Sequence, residues 1–290
     1  MFMYWKLLFI VFSLLFSSCS FNNQTVDDGK IIIATTIFPL QAVVESIVGD
    51  KMEVVNLVNP GASPHTFSLS PSDVKTLTGS QKLFAIGHGL DGWAVDILES
   101  LNDTELIVVD KGIDLRIYEG GQADPHYWLS TNNIRVVAQT VLDEIVKIDS
   151  GNGSFYRDNF DKFLLDLDEL DTYIEGFFAD LKNKDIVVFH DSWGYFAEQY
   201  GLNIVGVFEL SPGIEPGPKD LAELYNLFES SEVNTIFSES QFSSESIKAF
   251  VKDLDLNVGV LDPLGGTDEK DTYIKLMRYN ANVIFDALNE

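Results

Sequence analysis

Residues 154–182 read SFYRDNFDKFLLDLDELDTYIEGFFADLK. Apolar side chains fall at 155, 160, 163, 164, 167, 170, 174, 177, 178 and 181, and no proline interrupts the run. Gaps of three and four are the signature of a helix with one apolar face. At 1.5 Å per residue the segment makes a rod of roughly 40 Å, about the width of a domain. A rod of that length in the middle of the chain is either a long helix inside one domain or a spine between two lobes. What lies on either side favours the spine.

Upstream, KIIIATTIF (30–38) and MEVVNLV (52–58) read as buried strands, with helical spacing between them through Leu40, Val43, Val44 and Ile47. KLFAIG (82–87) and ELIVVD (105–110) are further strands, 72–77 and 93–98 are helical, and a helix runs from after ADPHYWLS (123–130) to about Lys147. Downstream the alternation restarts. DIVVFH (185–190), NIVGVFEL (203–210), VNTIFSE (233–239) and LNVGVLD (256–262) are strands, and helices pass through Trp193 and Phe196, 218–228, 245–254 and 271–288. Strands alternating with helices at this pitch predict parallel sheets covered on both faces. The expected fold is therefore α/β: two parallel-sheet lobes joined by one long backbone helix. The lobes are 31–150 and 184–290, the helix occupies 151–183, and no repeat points to a solenoid.

The first eighteen residues, MFMYWKLLFIVFSLLFSS, carry one lysine and then an apolar run too short for a membrane span. They read as a signal peptide, 1–18. The single cysteine, Cys19, follows in FSSC, which resembles a bacterial lipobox except that Phe16 stands where leucine is usual. The plainer alternative is an ordinary secretory signal with an incidental cysteine. Residues 19–30 are polar and aperiodic, as a lipidated tether would be. One cysteine permits no internal disulfide. A net charge of −26, from 19 basic and 45 acidic residues, argues against nucleic acid and against an anionic membrane surface as partners.

In open α/β sheets, ligands bind beyond the carboxyl ends of the strands. The chain has only four histidines, and three stand at such places in the two lobes. His65 ends NPGASPH, a loop stiffened by Pro60 and Pro64 after the second strand. His126 lies after the last strand of the first lobe, and His190 caps IVVF in the second. Asp262 follows LNVGVL. Three imidazoles and a carboxylate form a donor set that suits a divalent transition ion; Zn²⁺ accepts four nitrogen and oxygen ligands, whereas Mn²⁺ favours more oxygen. The spacing is uninformative, and no HExxH-type motif is present. From position alone each histidine reads equally as a core or surface residue. The fourth, His88 in GHGLDGW, is assigned a supporting or structural role.

The phrases PHTFSLSPSD, DPHYWLS, HDSWGYFAEQYGL, SPGIEPGPKDL and LDPLGG, in that order, resemble the zinc and manganese solute-binding lipoproteins of ABC importers. TTIFPL and YIKLMRYNANVIFDAL fit as well, so the resemblance spans about residues 31–289. It implies two α/β lobes on a backbone helix, a metal buried between them, no enzymatic activity, and delivery of the cation to a membrane permease. The protein would act as a monomer outside the cytoplasmic membrane, in the periplasm or on the outer face, held by acyl chains on Cys19. Residue by residue, it implies His65, His126 and His190 as ligands and Asp262 as the fourth, with Glu239 in FSESQF or a water as alternatives. Manganese members often carry Glu at the third position and a phrase like DPHEYEP at the first. Here His190 and SPHTFSL stand there, which favours Zn²⁺ over Mn²⁺ as cargo. The His-rich loop of many zinc members has no counterpart in DLRIYEGGQAD (114–124). Asp191 and Glu209 are candidate partners of the imidazoles, and Trp128, Trp193 and Tyr195 could keep the site dry. Two rival classes are a secreted zinc hydrolase, which lacks a general-base spacing or a GxSxG motif, and an iron–siderophore binder, poorly served by four arginines. An adhesin role could coexist with transport.

Overall fold

The computed structural model describes residues 29–98, 104–118, 120–209, 217–231, 233–242 and 245–289. The leader, Cys19 and the tether as far as residue 28 lie outside the described residues, as does the side chain of Glu209.

The first lobe runs β1 (Ile31–Thr35), α1 (Phe38–Val48), β2 (Met52–Asn56), α2 (Pro71–Gly79), β3 (Lys82–Ala85), α3 (Gly92–Leu98), β4 (Glu105–Val108) and α4 (Thr131–Ile148). α5 (Gly153–Ala179) follows. The second lobe runs β5 (Asp185–His190), α6 (Gly194–Tyr200), β6 (Asn203–Glu209), α7 (Pro218–Ser230), β7 (Thr235–Glu239), α8 (Glu245–Leu254), β8 (Asn257–Leu261) and α9 (Tyr273–Asn289). All strand pairs within the two sheets are parallel. The sheet orders are β2-β1-β3-β4 and β6-β5-β7-β8, the same 2-1-3-4 winding in each lobe. Such a winding leaves a crevice where the order reverses, beyond β1 and β3 in one lobe and β5 and β7 in the other.

Element ends moved by a few residues for local reasons. The first strand stops at Thr35 because Pro39, in the first turn of α1, suits a helix start and not a strand interior. α2 begins at Pro71, one residue before the apolar pattern suggests, because Ser70 and Asp73 form a reciprocal capping box.

The long helix is the spine expected from its periodicity. Its buried positions are 153, 156, 160, 163, 167, 170, 174 and 178, one continuous seam. The seam meets α1 and α4 of the first lobe and α6 and α9 of the second. A single apolar core therefore runs from Ile33 and Phe84 in the first sheet, through Leu167 and Leu170, to Ile186 and Phe237 in the second. Strand alternation divides each sheet between this shared core and an outer one. Ile33 faces the shared core and Ala34 the outer cluster with Leu77 and Leu83; Ile186 faces the shared core and Val187 the cluster with Phe228 and Phe250.

Candidate metal centre

His65, His126 and His190 converge from three separate connections. Each offers a ligand-type nitrogen, and these atoms all lie within 4.8 Å of one another. Ring centroids are 5.3 Å apart for His65–His126, 5.5 Å for His65–His190 and 5.1 Å for His126–His190, with interplanar angles of 51°, 85° and 81°. Rings tilted this way meet at their edges rather than stacking. His65 Nε2 and His126 Nε2 are 3.2 Å apart. Nitrogens held at the usual zinc bond length at two corners of a tetrahedron are about 3.3 Å apart. The cavity at their meeting point measures about 10 Å³, which is one small sphere of the size of a water. Its wall includes Pro64, Trp128, Glu239, Phe242 and Leu264.

Each imidazole is positioned differently. His65 sits on the proline-stiffened loop, and that loop is tied down by the indole of Trp93 in α3, which donates to the Pro64 carbonyl at 3.1 Å. Phe67 packs edge-on against the same indole at 4.7 Å. Burial, reinforced by the neighbouring charge of His126 and opposed by Asp124, pushes the His65 imidazole down to about 3. It is neutral at ordinary pH and has a lone pair to give. His126 opens a short 3₁₀ turn, Tyr127–Leu129, which carries no periodicity of its own in the sequence. Asp124 Oδ1 accepts both the backbone N–H of His126, at 3.0 Å, and its Nδ1–H, at 2.8 Å. That pair fixes the tautomer with Nε2 unprotonated and facing the cavity. His190 is the last residue of β5 and is buried.

The carboxylates divide into those at the cavity and those nearby. Glu239, the last residue of β7, lines the cavity and is buried. Its Oε1 accepts from the Ser192 hydroxyl and, at 2.8 Å, from the Trp193 indole; Oε2 accepts from Gln241 at 2.8 Å. Burial pushes its carboxyl up to about 7, against the pull of Ser192, His126 and Trp193. Asp262 is buried just beyond β8, and its Oδ1 accepts from the backbone N–H of Leu264, at 3.0 Å, and Gly265, at 2.9 Å. Its Oδ2 pairs with Lys270 at 2.6 Å. Among the described residues, the cluster of mutually close metal-type donors consists of the three histidines, with Asp262 outside it.

Of the expected supporting residues, Trp128 lines the cavity and donates to the Pro263 carbonyl at 2.8 Å across the lobes. Trp193 holds Glu239, and Tyr195 donates to the Asp124 carbonyl at 2.9 Å. Asp191 enters through its backbone carbonyl, which accepts from Tyr118 at 2.9 Å. The carboxylate that orients His126 is Asp124, which the sequence reading missed. Its position two residues before the histidine in DPH was the available signal. His88 stands apart, with φ of 53° between two glycines and Nε2 2.8 Å from Asp110 Oδ2.

Residues 33–287 match the model of the family described as ZnuA, zinc-uptake complex component A, periplasmic. The chain belongs to this family. It is thus the metal-binding component of an ABC uptake system, and not an enzyme. The manganese-binding lipoprotein MntA of Halalkalibacterium halodurans is 25% identical over 290 residues, covering 97% of each chain. The high-affinity zinc uptake system protein ZnuA of Bacillus subtilis is 26% identical over 318 residues, covering 99% of each. The chain spans 57% of the length of a third relative, the zinc-binding protein AdcA of Streptococcus pyogenes. A crystal structure of ZnuA superposes with a TM-score of 0.81 at 29% identity, over 90% of this chain and 98% of that one. Relatives named for zinc and for manganese thus stand at nearly the same distance.

Proposed function

We propose that this family member captures Zn²⁺, in preference to Mn²⁺, outside the cytoplasmic membrane and delivers it to an ABC permease. His65, His126 and His190 supply three nitrogens, and an acid of the second lobe completes the shell. The observation that carries the metal preference is the donor set. Three convergent imidazoles, one neutral by burial and one tautomer-locked by Asp124, make a nitrogen-rich pocket the size of a single ion. Such a set favours zinc, while manganese prefers oxygen.

Two acids compete for the fourth position. Glu239 already forms part of the cavity wall, whereas Asp262 reaches the ion by exchanging Lys270 for it. Asp262→Asn and Glu239→Gln separate them, since only loss of the true ligand weakens binding beyond the effect of the other. Beside a divalent cation the buried carboxyl of Glu239, held up at about 7, ionises more readily, so uptake of the metal through Glu239 releases a proton and weakens as pH falls below that value. Cys19, acylated after removal of residues 1–18, would anchor the protein through the polar segment to residue 30. The lobes, 31–150 and 184–290, would meet the permease together, with the helix at 151–183 restricting them to small tilts.

The test is metal analysis of the purified mature protein with competition titrations of Zn²⁺ against Mn²⁺, on wild type and His190→Ala. Zinc displacing manganese from wild type, and weak binding by the variant, are the expected results. Tighter manganese binding overturns the metal assignment, and equal binding by the variant removes His190 from the site.

A further inference from the structure

The loop 114–124 lacks the histidines of its counterparts, and the metal reading gives it no task. Its geometry does. The runs 116–118 and 122–124 fold back on each other through an antiparallel bridge between Ile117 and Ala123, with Tyr118 N–H donating to Gln122 O at 2.9 Å and Asp124 N–H to Arg116 O at 2.8 Å. Arg116 belongs to the first lobe but lies on the second. Its guanidinium occupies the space over Gly194, in the first turn of α6, so closely that a Cβ on Gly194 would fall 0.9 Å from Nη1 and 2.0 Å from Cζ. It sits 5.5 Å from the Tyr195 ring centroid and 3.8 Å from Glu198, one turn further along α6. Its backbone N–H donates to the Tyr195 hydroxyl at 2.8 Å. From that seat Nη1 reaches back to Asp124 Oδ2 at 3.2 Å. The other oxygen of that fully buried carboxylate holds His126.

We propose that Arg116 is a positioning residue that clasps α6 of the second lobe and, through Asp124, makes the orientation of His126 depend on where that lobe sits. The inference rests on the metal-site reading above. While α6 is seated, the guanidinium fills the space above Gly194 and neutralises Asp124, which holds the imidazole with Nε2 toward the cavity. A displacement of α6 withdraws that support, and the first lobe's buried ligand loosens. The clasp thus governs how long the cation is retained. Glycine at 194 keeps this seat open, because a side chain there displaces the guanidinium.

The experiment measures zinc dissociation into excess chelator by stopped flow for wild type, Arg116→Ala, Gly194→Ala and the double variant. Each single variant should release zinc about 10- to 100-fold faster, the range typical of lost outer partners of a metal site. The double variant should be no faster than Arg116→Ala, because the alanine methyl then has no guanidinium to displace. Far-ultraviolet circular dichroism of the metal-free variants should match wild type, which separates the clasp from a general loss of structure. Arg116→Gln replaces Arg116→Ala if the latter does not fold. Unchanged release in the single variants, or rates that multiply in the double variant, overturns the clasp while leaving the metal site standing. Failure of wild type to bind zinc overturns the functional reading and the clasp together.

Discussion

The two lobes share one winding but present their ligands in opposite ways. In the second lobe, His190 and Glu239 are the final residues of β5 and β7, the two strands that flank the reversal of strand order. Their backbones are held by the sheet. In the first lobe, His65 and His126 stand on connections well beyond β2 and β4. Those connections need bracing, and it is visible: two prolines and the Trp93 indole for His65, and Asp124, Arg116 and Tyr195 for His126. A ligand on a strand end inherits its position from the fold, whereas a ligand on a loop acquires it from polar contacts made for that purpose. The braces of His126 come partly from the other lobe. The sheet-borne half is therefore the fixed half of the site, and the loop-borne half is where affinity can be tuned.

The largest expected effect tests the fixed half. His190→Ala should weaken zinc binding by more than about 100-fold, beyond the usual cost of losing an outer partner. His65→Ala should cost less, because His65 is only half-buried and water can take its corner. Equal losses in equilibrium titration would remove the distinction between the halves. Next comes Asp124→Asn, which keeps the shape but loses the charge that fixes the tautomer; affinity should fall about 10- to 100-fold. An unchanged affinity would mean that the loop needs no such brace.

A smaller effect concerns pH in the metal-free protein. His65 is held down at about 3, against an ordinary 6.5, so between those values the unfolded chain binds more protons and stability rises with pH. Glu239 is held up at about 7, against 4.5, so across that interval the folded chain binds more protons and stability falls with pH. From pH 4.5 to 6.5 the two oppose each other. Glu239→Gln should expose the His65 slope, steepening the rise by up to about 1.4 kcal/mol per pH unit. Denaturant titrations with chelator present would read this, and identical slopes would contradict it. The smallest effect is that of Trp93→Phe, which removes the hydrogen bond to Pro64 and should cost about 1 kcal/mol of stability. Zinc affinity should fall severalfold with it, because the bond ties down the loop that carries His65.

Much of this was legible in the sequence, for identifiable reasons. The spine was readable because apolar spacing in 154–182 is a local property that the shared core merely uses. His190 was readable at a strand end because ligands in a parallel sheet sit beyond the carboxyl ends of strands, whereas His65 and His126, on loops well past β2 and β4, were singled out as ligands by the family resemblance. Asp124 lay in plain view two residues from His126 but needed the 3₁₀ turn to aim it. The seat of Arg116 could not be read, since 79 residues separate it from its partner Tyr195 and nothing local marks Gly194 as a space kept empty. The rotamer of Asp262, turned to Lys270, is likewise a tertiary outcome of the 3₁₀ turn Asp268–Lys270 folding back on the loop after β8, where Gly266 N–H donates to Lys270 O at 3.0 Å.

The most direct measurement is anomalous diffraction at the zinc edge from crystals of the zinc-loaded mature protein. A single strong peak is expected in the small cavity, within about 2.0–2.1 Å of one nitrogen from each of His65, His126 and His190, and so bound by both lobes. A peak held by residues of one lobe alone, or located away from the three imidazoles, would contradict it.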